Sequence, residues 1–274
     1  MLGVTQSTLS RNIARLEADL GVALFVRIGR TVRLTRPGQQ LLPFVEQALL
    51  ALGRGLDDML AEVDPDRGRV AFGFLHSLGT RGVPVILRDF RASHPDVTFA
   101  LVQDSHDTML AKLVAGTIDL CLTSPPPDEP GLRTRTLDRQ RLALVVPRGH
   151  RLAGRRRIRL ADVAEETFVG LEPGYGLRRI TDECCRQAGF EPRLAFEGQE
   201  IDTLLGMVAT GLGVALLPTG LAGAFGGDVA ELAITSPGTS RSIALVWLAD
   251  RLLPPPVAAF RDTVLAHRGR LVAH

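Results

Sequence analysis

Val4-Thr5-Gln6-Ser7-Thr8-Leu9-Ser10-Arg11-Asn12-Ile13-Ala14-Arg15-Leu16-Glu17 stands near the start of a chain of 274 residues. Leu9, Ile13, Leu16 and Leu20 recur at helical spacing, so Thr5 to about Leu20 reads as a helix with one apolar stripe. Thr5 or Ser7 can cap its start, and Gly21 stops it. Beyond Val22 to Arg27, the stretch Ile28-Gly29-Arg30-Thr31-Val32-Arg33-Leu34-Thr35 alternates around a glycine. That is the pattern of a small hairpin with arginines at its tip and on its open face. Residues 1–36 contain six arginines against Glu17 and Asp19, a net +4 in a chain whose total is +2. A basic head on a slightly acidic body suits a polyanion. Only Lys112 among 32 basic residues is a lysine, so arginine usage across the sequence accounts for the charge equally well. A solvated basic face stays open beside nucleic acid.

From Pro37 to Val63 the pattern becomes a long helix. Leu42, Val45, Leu49, Leu52, Leu56, Met59 and Val63 alternate steps of three and four, a heptad seam of the two-stranded coiled-coil kind. An amphipathic helix lying on its own domain is the competing account, and Gly53 and Gly55 each weaken the helix by about 1 kcal/mol. Regularity between two different regions favours a dimerising linker. Asp64-Pro65-Asp66-Arg67-Gly68 then marks a boundary.

The remainder alternates strand and helix. Strands are expected at 70–75, 97–102, 118–123, 142–146, 167–171, 194–196, 214–217 and 243–248, and helices at 79–93, 106–115, 177–188, 201–210 and 257–267. Alternation of this kind predicts parallel sheets covered by helices, in two similar α/β halves. A 45% hydrophobic and 23% charged composition is that of a globular chain. No apolar run reaches the roughly eighteen residues needed to span a bilayer, so no membrane partner is expected. The start lacks a basic segment leading into an apolar one, and Cys121, Cys184 and Cys185 make no disulfide framework. Both features point to a reducing cytoplasm.

The segment 4–17, running into Leu20-Gly21-Val22-Ala23-Leu24-Phe25-Val26-Arg27 and then Arg30-Thr31-Val32-Arg33-Leu34-Thr35-Arg36-Pro37-Gly38, resembles the LysR-type transcriptional regulators. Gly116-Thr117-Ile118-Asp119-Leu120 and Gly211-Leu212-Gly213-Val214-Ala215-Leu216-Leu217-Pro218 agree with the same family, so the likeness spans essentially the whole chain. Asp66-Arg67-Gly68, Gly73-Phe74-Leu75-His76-Ser77-Leu78 and Gln187-Ala188-Gly189-Phe190 look more like its glutamate-synthase-activator branch. The resemblance implies a mainly α/β protein with a winged helix-turn-helix head, a long linker helix and a body like type 2 periplasmic binding proteins. The expected division is 1–36 head, 37–66 linker, 67–137 with 250–274 as one effector subdomain, and 138–249 as the other. The likeness begins in the turn before the recognition helix, so the head is expected to be partial. It would lack the two helices with which the family's domain opens.

A recognition helix presents its first turns to base edges in the major groove. Gln6, Ser7, Thr8, Ser10 and Arg11 are the side chains placed to do so: Gln6 suits adenine, Arg11 guanine or phosphate, and the hydroxyls phosphates. Arg30 and Arg33 on the wing fit minor-groove or backbone contact. Effectors in such bodies bind at strand ends and helix amino termini. His76 to Thr80, Thr123-Ser124 and Pro173 to Arg178 meet that description, with Ser77, Leu78, Thr80, Thr123, Tyr175, Gly176 and Leu177 as the candidate effector contacts. Gln199 and Glu200 are weaker ones. For Ser77 and Thr80 ordinary helix capping is an equal account.

Other constellations are negative. Cys184-Cys185 lacks metal-site spacing, His76 and Ser77 are adjacent and without a nucleophile elbow, and Gly211-Leu212-Gly213 lacks a third glycine. Arg155-Arg156-Arg157 reads as a solvated loop. No catalytic residue, metal or cofactor is expected, and the protein reads as a regulator rather than an enzyme. Its implied partners are double-stranded promoter DNA, a polar or anionic small molecule, RNA polymerase, and copies of itself as homodimer or homotetramer. The alternative is an intracellular small-molecule-binding protein of the same body fold whose DNA binding is lost with the missing helices.

Overall fold

The computed structural model describes residues 5–29, 31–61, 67–79, 82–221, 227–236 and 238–271. Contacts divide the chain into two units, Met1–Leu56 and Asp57–His274.

In the first unit, helix α1 (Gln6–Leu20) starts where Thr5 Oγ1 accepts from Thr8 N–H at 3.3 Å. It ends at Gly21, whose φ of +67° is the left-handed turn that glycine adopts without a Cβ clash. Strands β1 (Phe25–Ile28) and β2 (Thr31–Leu34) form the expected hairpin, pairing Phe25 with Leu34 and Ile28 with Thr31. Glu17 ties hairpin to helix by accepting from the N–H groups of Leu24 and Phe25 at 2.7 and 2.9 Å. Helix α2 (Arg36–Ala61) then follows the heptad segment. Its last expected seam residue, Val63, lies outside the described residues.

The second unit opens with β3 (Gly68–Phe74), the one-turn helix α3 (His76–Gly79), α4 (Gly82–Arg91), β4 (Val97–Gln103), α5 (His106–Val114) and β5 (Leu120–Thr123). Strand β6 (Leu132–Pro147) leads to β7 (Arg157–Ile158), β8 (Thr167–Leu171), α6 (Gly176–Gln187), β9 (Arg193–Gly198), α7 (Ile201–Ala209), β10 (Ala215–Pro218) and β11 (Val229–Ile234). The chain returns through β12 (Ser240–Leu248) to α8 (Pro255–Ala266).

Two strands join two bodies. The first half of β6 pairs antiparallel with β12, which also pairs antiparallel with β5, in the order β4-β3-β5-β12-β6. The second half of β6 lies between β10 and β11. Each body has its own core. Phe72, Phe90, Leu120, Ile243, Val246 and Phe260 belong to one, and Leu144, Phe168, Cys185, Leu205, Leu216 and Leu232 to the other.

Three expectations change. The sheets are mixed rather than parallel, because β6 and β12 are crossing strands and not crossover partners. Ile243 to Trp247 pack in the first core, whereas a boundary at 249/250 assigned them to the second body. One strand that both leaves and re-enters a sheet hides that return from a reading by alternation. Finally, His76–Gly79 is already helical, as α3, so Gly79 does not open a helix, and the helix expected over 79–93 is described from Gly82 to Arg91, as α4.

Candidate functional site

Helix α1 buries no residue. Its stripe of Leu9, Ile13, Leu16 and Leu20 occupies one side, and helical spacing turns Ser7, Ser10 and Arg11 away from it. Gln6, Ser7, Thr8, Ser10 and Arg11 are all exposed, as is Arg33 on β2. Ser7 and Thr8 share hydroxyl hydrogen bonds with Thr5 at 3.0 and 2.9 Å, so these two help to cap the helix. Gln6, Ser10 and Arg11 make no side-chain hydrogen bond among the described residues. Arg30 lies outside those residues.

The second candidate is the cleft between the two bodies. A small cavity of about 20 Å³, room for a single water, is lined by Ser77 from one body and by Leu171, Tyr175, Gly176 and Leu177 from the other. A larger cavity of about 190 Å³ shares His76, Ser77 and Ile201 with it and extends past Gln140, Glu200 and Asp202. Helices α6 and α7 open here, at Gly176 and Ile201, and neither first turn is capped by a side chain. Their leading N–H groups and dipoles favour negative charge. Gly176 is required by proximity: a Cβ there would lie 1.7 Å from the Ser124 carbonyl oxygen. So the end of β5 and the Tyr175 loop meet, as expected.

The individual side chains divide. Ser77, Tyr175, Gly176 and Leu177 line the cavity. Thr123 does not; it is fully buried, and its hydroxyl shares a 2.7 Å hydrogen bond with Nδ1 of buried His106. Burial, with the Arg179 charge as a second cause, lowers the His106 pKa to about 4, so this ring is neutral at pH 7. Leu78 does not line the cavity either; it is buried in the first core. Thr80 lies outside the described residues. Ser124 Oγ, also buried, has no hydrogen-bond partner among the described residues.

Sequence reasoning missed Arg241. It is 3% exposed and lines the small cavity. Its Nη2 donates to Ser77 Oγ and its Nε to Gln140 Oε1, both at 2.8 Å. Asp104, on the same wall, is raised by burial but held below its ordinary value overall by the Lys112 ammonium at 2.7 Å and the Ser105 N–H. Burial pushes Tyr175 up, helped by Asp104, Glu172 and Glu200. Across one side of the cleft, Arg179 of α6 meets Asp107 of α5 at 2.7 Å, and the Asp107 N–H donates to the Gly174 carbonyl.

Two family descriptions match this arrangement: "Bacterial regulatory helix-turn-helix protein, lysR family" over residues 1–39 and "LysR substrate binding domain" over residues 64–269. The chain belongs to the LysR family of transcriptional regulators. LysR regulators couple a DNA-binding head to an effector-binding body, and both parts are matched here, which disfavours a binding protein without a DNA head. The uncharacterized HTH-type transcriptional regulator YybE of Bacillus subtilis is 37% identical, with 97% of this chain and 91% of that protein aligned. The transcriptional dual regulator GltC of the same organism is 32% identical, with 97% and 89% aligned. Full-length CbnR bound to its target DNA superposes with a TM-score of 0.75 at 25% identity, over 98% of this chain and 92% of that one.

Burial pushes the Cys121 and Cys185 thiols up to about 12, which makes them poor nucleophiles. Among the described residues no group of three His, Cys, Asp or Glu side chains is placed to hold a metal. None of the described helices is long and apolar enough to cross a membrane.

Proposed function

We propose that this LysR regulator works in the cytoplasm as a dimer paired through α2, reads promoter DNA with α1 and the wing, and is switched by a small polar or anionic molecule in the cleft. The observation that carries the reading is the presence of a matched DNA head and a matched binding body in one chain. Gln6 and Arg11 take the base edges; Ser7, Thr8, Ser10, Arg30 and Arg33 hold the backbone. Pairing along the seam sets two heads at two-fold-related half-sites. Ser77, Tyr175, Gly176 and Leu177 hold the effector, and its binding shifts the population between open and closed bodies. The altered spacing of the heads is then what RNA polymerase at the promoter responds to.

Fluorescence anisotropy on a cognate promoter fragment and on random DNA tests the division of roles. Gln6→Ala should cost roughly 1–3 kcal/mol on the cognate fragment and little on random DNA, whereas Arg33→Ala should weaken both alike. Identical losses for the two variants on both DNAs reject the assignment.

A further inference from the structure

Arg241 sits on β12 where that strand passes between the bodies, and it is almost wholly out of solvent. Burial lowers its pKa only to about 10, so it is charged at pH 7. A buried charge is costly unless an opposite charge compensates it. Its two hydrogen-bond partners, Ser77 and Gln140, are neutral, and among the described residues no carboxylate pairs with it. The contrast with other sheltered arginines is direct. Arg178 pairs with Asp182 at 3.0 Å and with Glu197, and Arg251 reaches Asp119 at 3.5 Å. Ser77 and Gln140 engage two of the five guanidinium N–H groups, leaving three. The uncapped starts of α6 and α7 line the same cavity. Asp104 lines the small cavity beside Arg241, but its carboxylate is engaged by the Lys112 ammonium at 2.7 Å and by the Ser105 N–H. The larger cavity, which Arg241 does not line, adjoins the small one at His76, Ser77 and Ile201 and turns acidic at Glu200 and Asp202. Its volume of about 190 Å³ is below the roughly 300 Å³ at which pockets for drug-sized ligands begin.

We propose that Arg241 is the anion receptor of this cleft and that the effector is a small carboxylate bearing hydroxyl or amine groups. Its oxygens take the guanidinium N–H groups that Ser77 and Gln140 leave unused, in the bidentate geometry that arginine offers. Its donor groups face Glu200 and Asp202. A phosphate would set about two negative charges beside those same carboxylates, against a single guanidinium. The proposal rests on the cleft being the effector site.

The test is calorimetric titration of the full chain with glycolate, lactate and glycerate, each beside its neutral amide, and with inorganic phosphate and sulfate. At least one acid should bind saturably, with its amide roughly 10- to 100-fold weaker. Arg241→Gln should erase the preference for acid over amide, and Arg241→Lys, which keeps the charge but not the fork, should fall between. Without ligand, Arg241→Gln should melt higher than Arg241→Lys, because it buries no charge. Equal affinity for acid and amide, a preference that survives Arg241→Gln, or no binding by any acid overturns the proposal. If phosphate or an amide binds instead and Ser77→Ala weakens it, the cleft stands and the carboxylate falls. A compound that binds unchanged in Ser77→Ala, Tyr175→Ala and Arg241→Gln places the effector site elsewhere and removes the cleft reading itself.

Discussion

The two units treat apolar side chains in opposite ways. Among the described residues of the first, Leu24 is the one large apolar side chain that is buried, while Leu49, Leu52 and Leu56 stand 63%, 67% and 60% exposed along α2. In the second, Phe72, Phe90 and Phe260 meet edge to face at 4.9 and 5.1 Å inside a closed core. Both regions are rich in leucine and valine, so composition does not separate them; periodicity does. Strands and helices that alternate bury their apolar faces against each other within the chain. A heptad seam has one face, and a second helix is what covers it. The body stabilises itself, and on the proposed reading a copy of the chain covers the linker's seam.

The largest effect should come from breaking that difference at the seam. Leu49→Glu with Leu52→Glu removes four leucines from a paired interface. At roughly 1.5–3 kcal/mol for each buried leucine, the association should weaken by about 6 kcal/mol or more, on the order of four decades in Kd. Neither residue belongs to either body core, so thermal unfolding of the body should hardly move. Sedimentation equilibrium of the variant reads the first outcome and calorimetry the second. An unmoved association equilibrium removes the linker from dimerisation.

The body's own closure can be probed through His106. Its folded pKa of about 4 lies below the ordinary 6.5, so between these values the unfolded chain binds a proton that the folded chain refuses. Stability from this group is therefore fully present above pH 6.5 and is lost as pH falls toward 4. The loss totals on the order of 3 kcal/mol. Arg179 reinforces the depression and Asp107 opposes it. Denaturant titrations of wild type and His106→Gln across this window should differ in slope, the variant being flatter. Parallel curves would mean that the ring is not held neutral.

How much of this was legible follows from how far apart the determinants lie. Helix α1, the hairpin and α2 are local features, set by spacing, a glycine stop and a heptad, and the sequence pattern places them within a residue or two. Tyr175, Gly176 and Leu177 could be placed at a helix start because the glycines flanking it are also a local signal. Thr123 was misjudged because its hydroxyl partner, His106, sits on another element, and nothing in Leu122-Thr123-Ser124 shows that the hydroxyl is taken. Arg241 was missed for a similar reason: its Ser77 partner is 164 residues away. One signal was present. Alternation along Ser240-Arg241-Ser242-Ile243 sets the arginine on the same face as a core isoleucine, which is where an exposed arginine should not be.

The smallest effect concerns the pair that spans the cleft. Arg179 and Asp107 meet at 2.7 Å with side chains 51% and 59% exposed, and exposed pairs contribute about 0.2–1 kcal/mol. Global stability should therefore scarcely register Arg179→Ala. The pair nevertheless joins the start of α6 to the start of α5, so whatever it contributes is present only while the two bodies are together. Its free energy then appears as a bias on closure. At most about 1 kcal/mol, it corresponds to a population shift of up to roughly fivefold, and the affinity of a compound that needs the closed cleft should fall by the same factor. Because the pair faces solvent, the difference between wild type and Arg179→Ala should shrink as salt rises and screens it. Binding isotherms at low and high ionic strength read both. A loss far beyond fivefold, or one indifferent to salt, would show that Arg179 touches the ligand rather than latching the bodies.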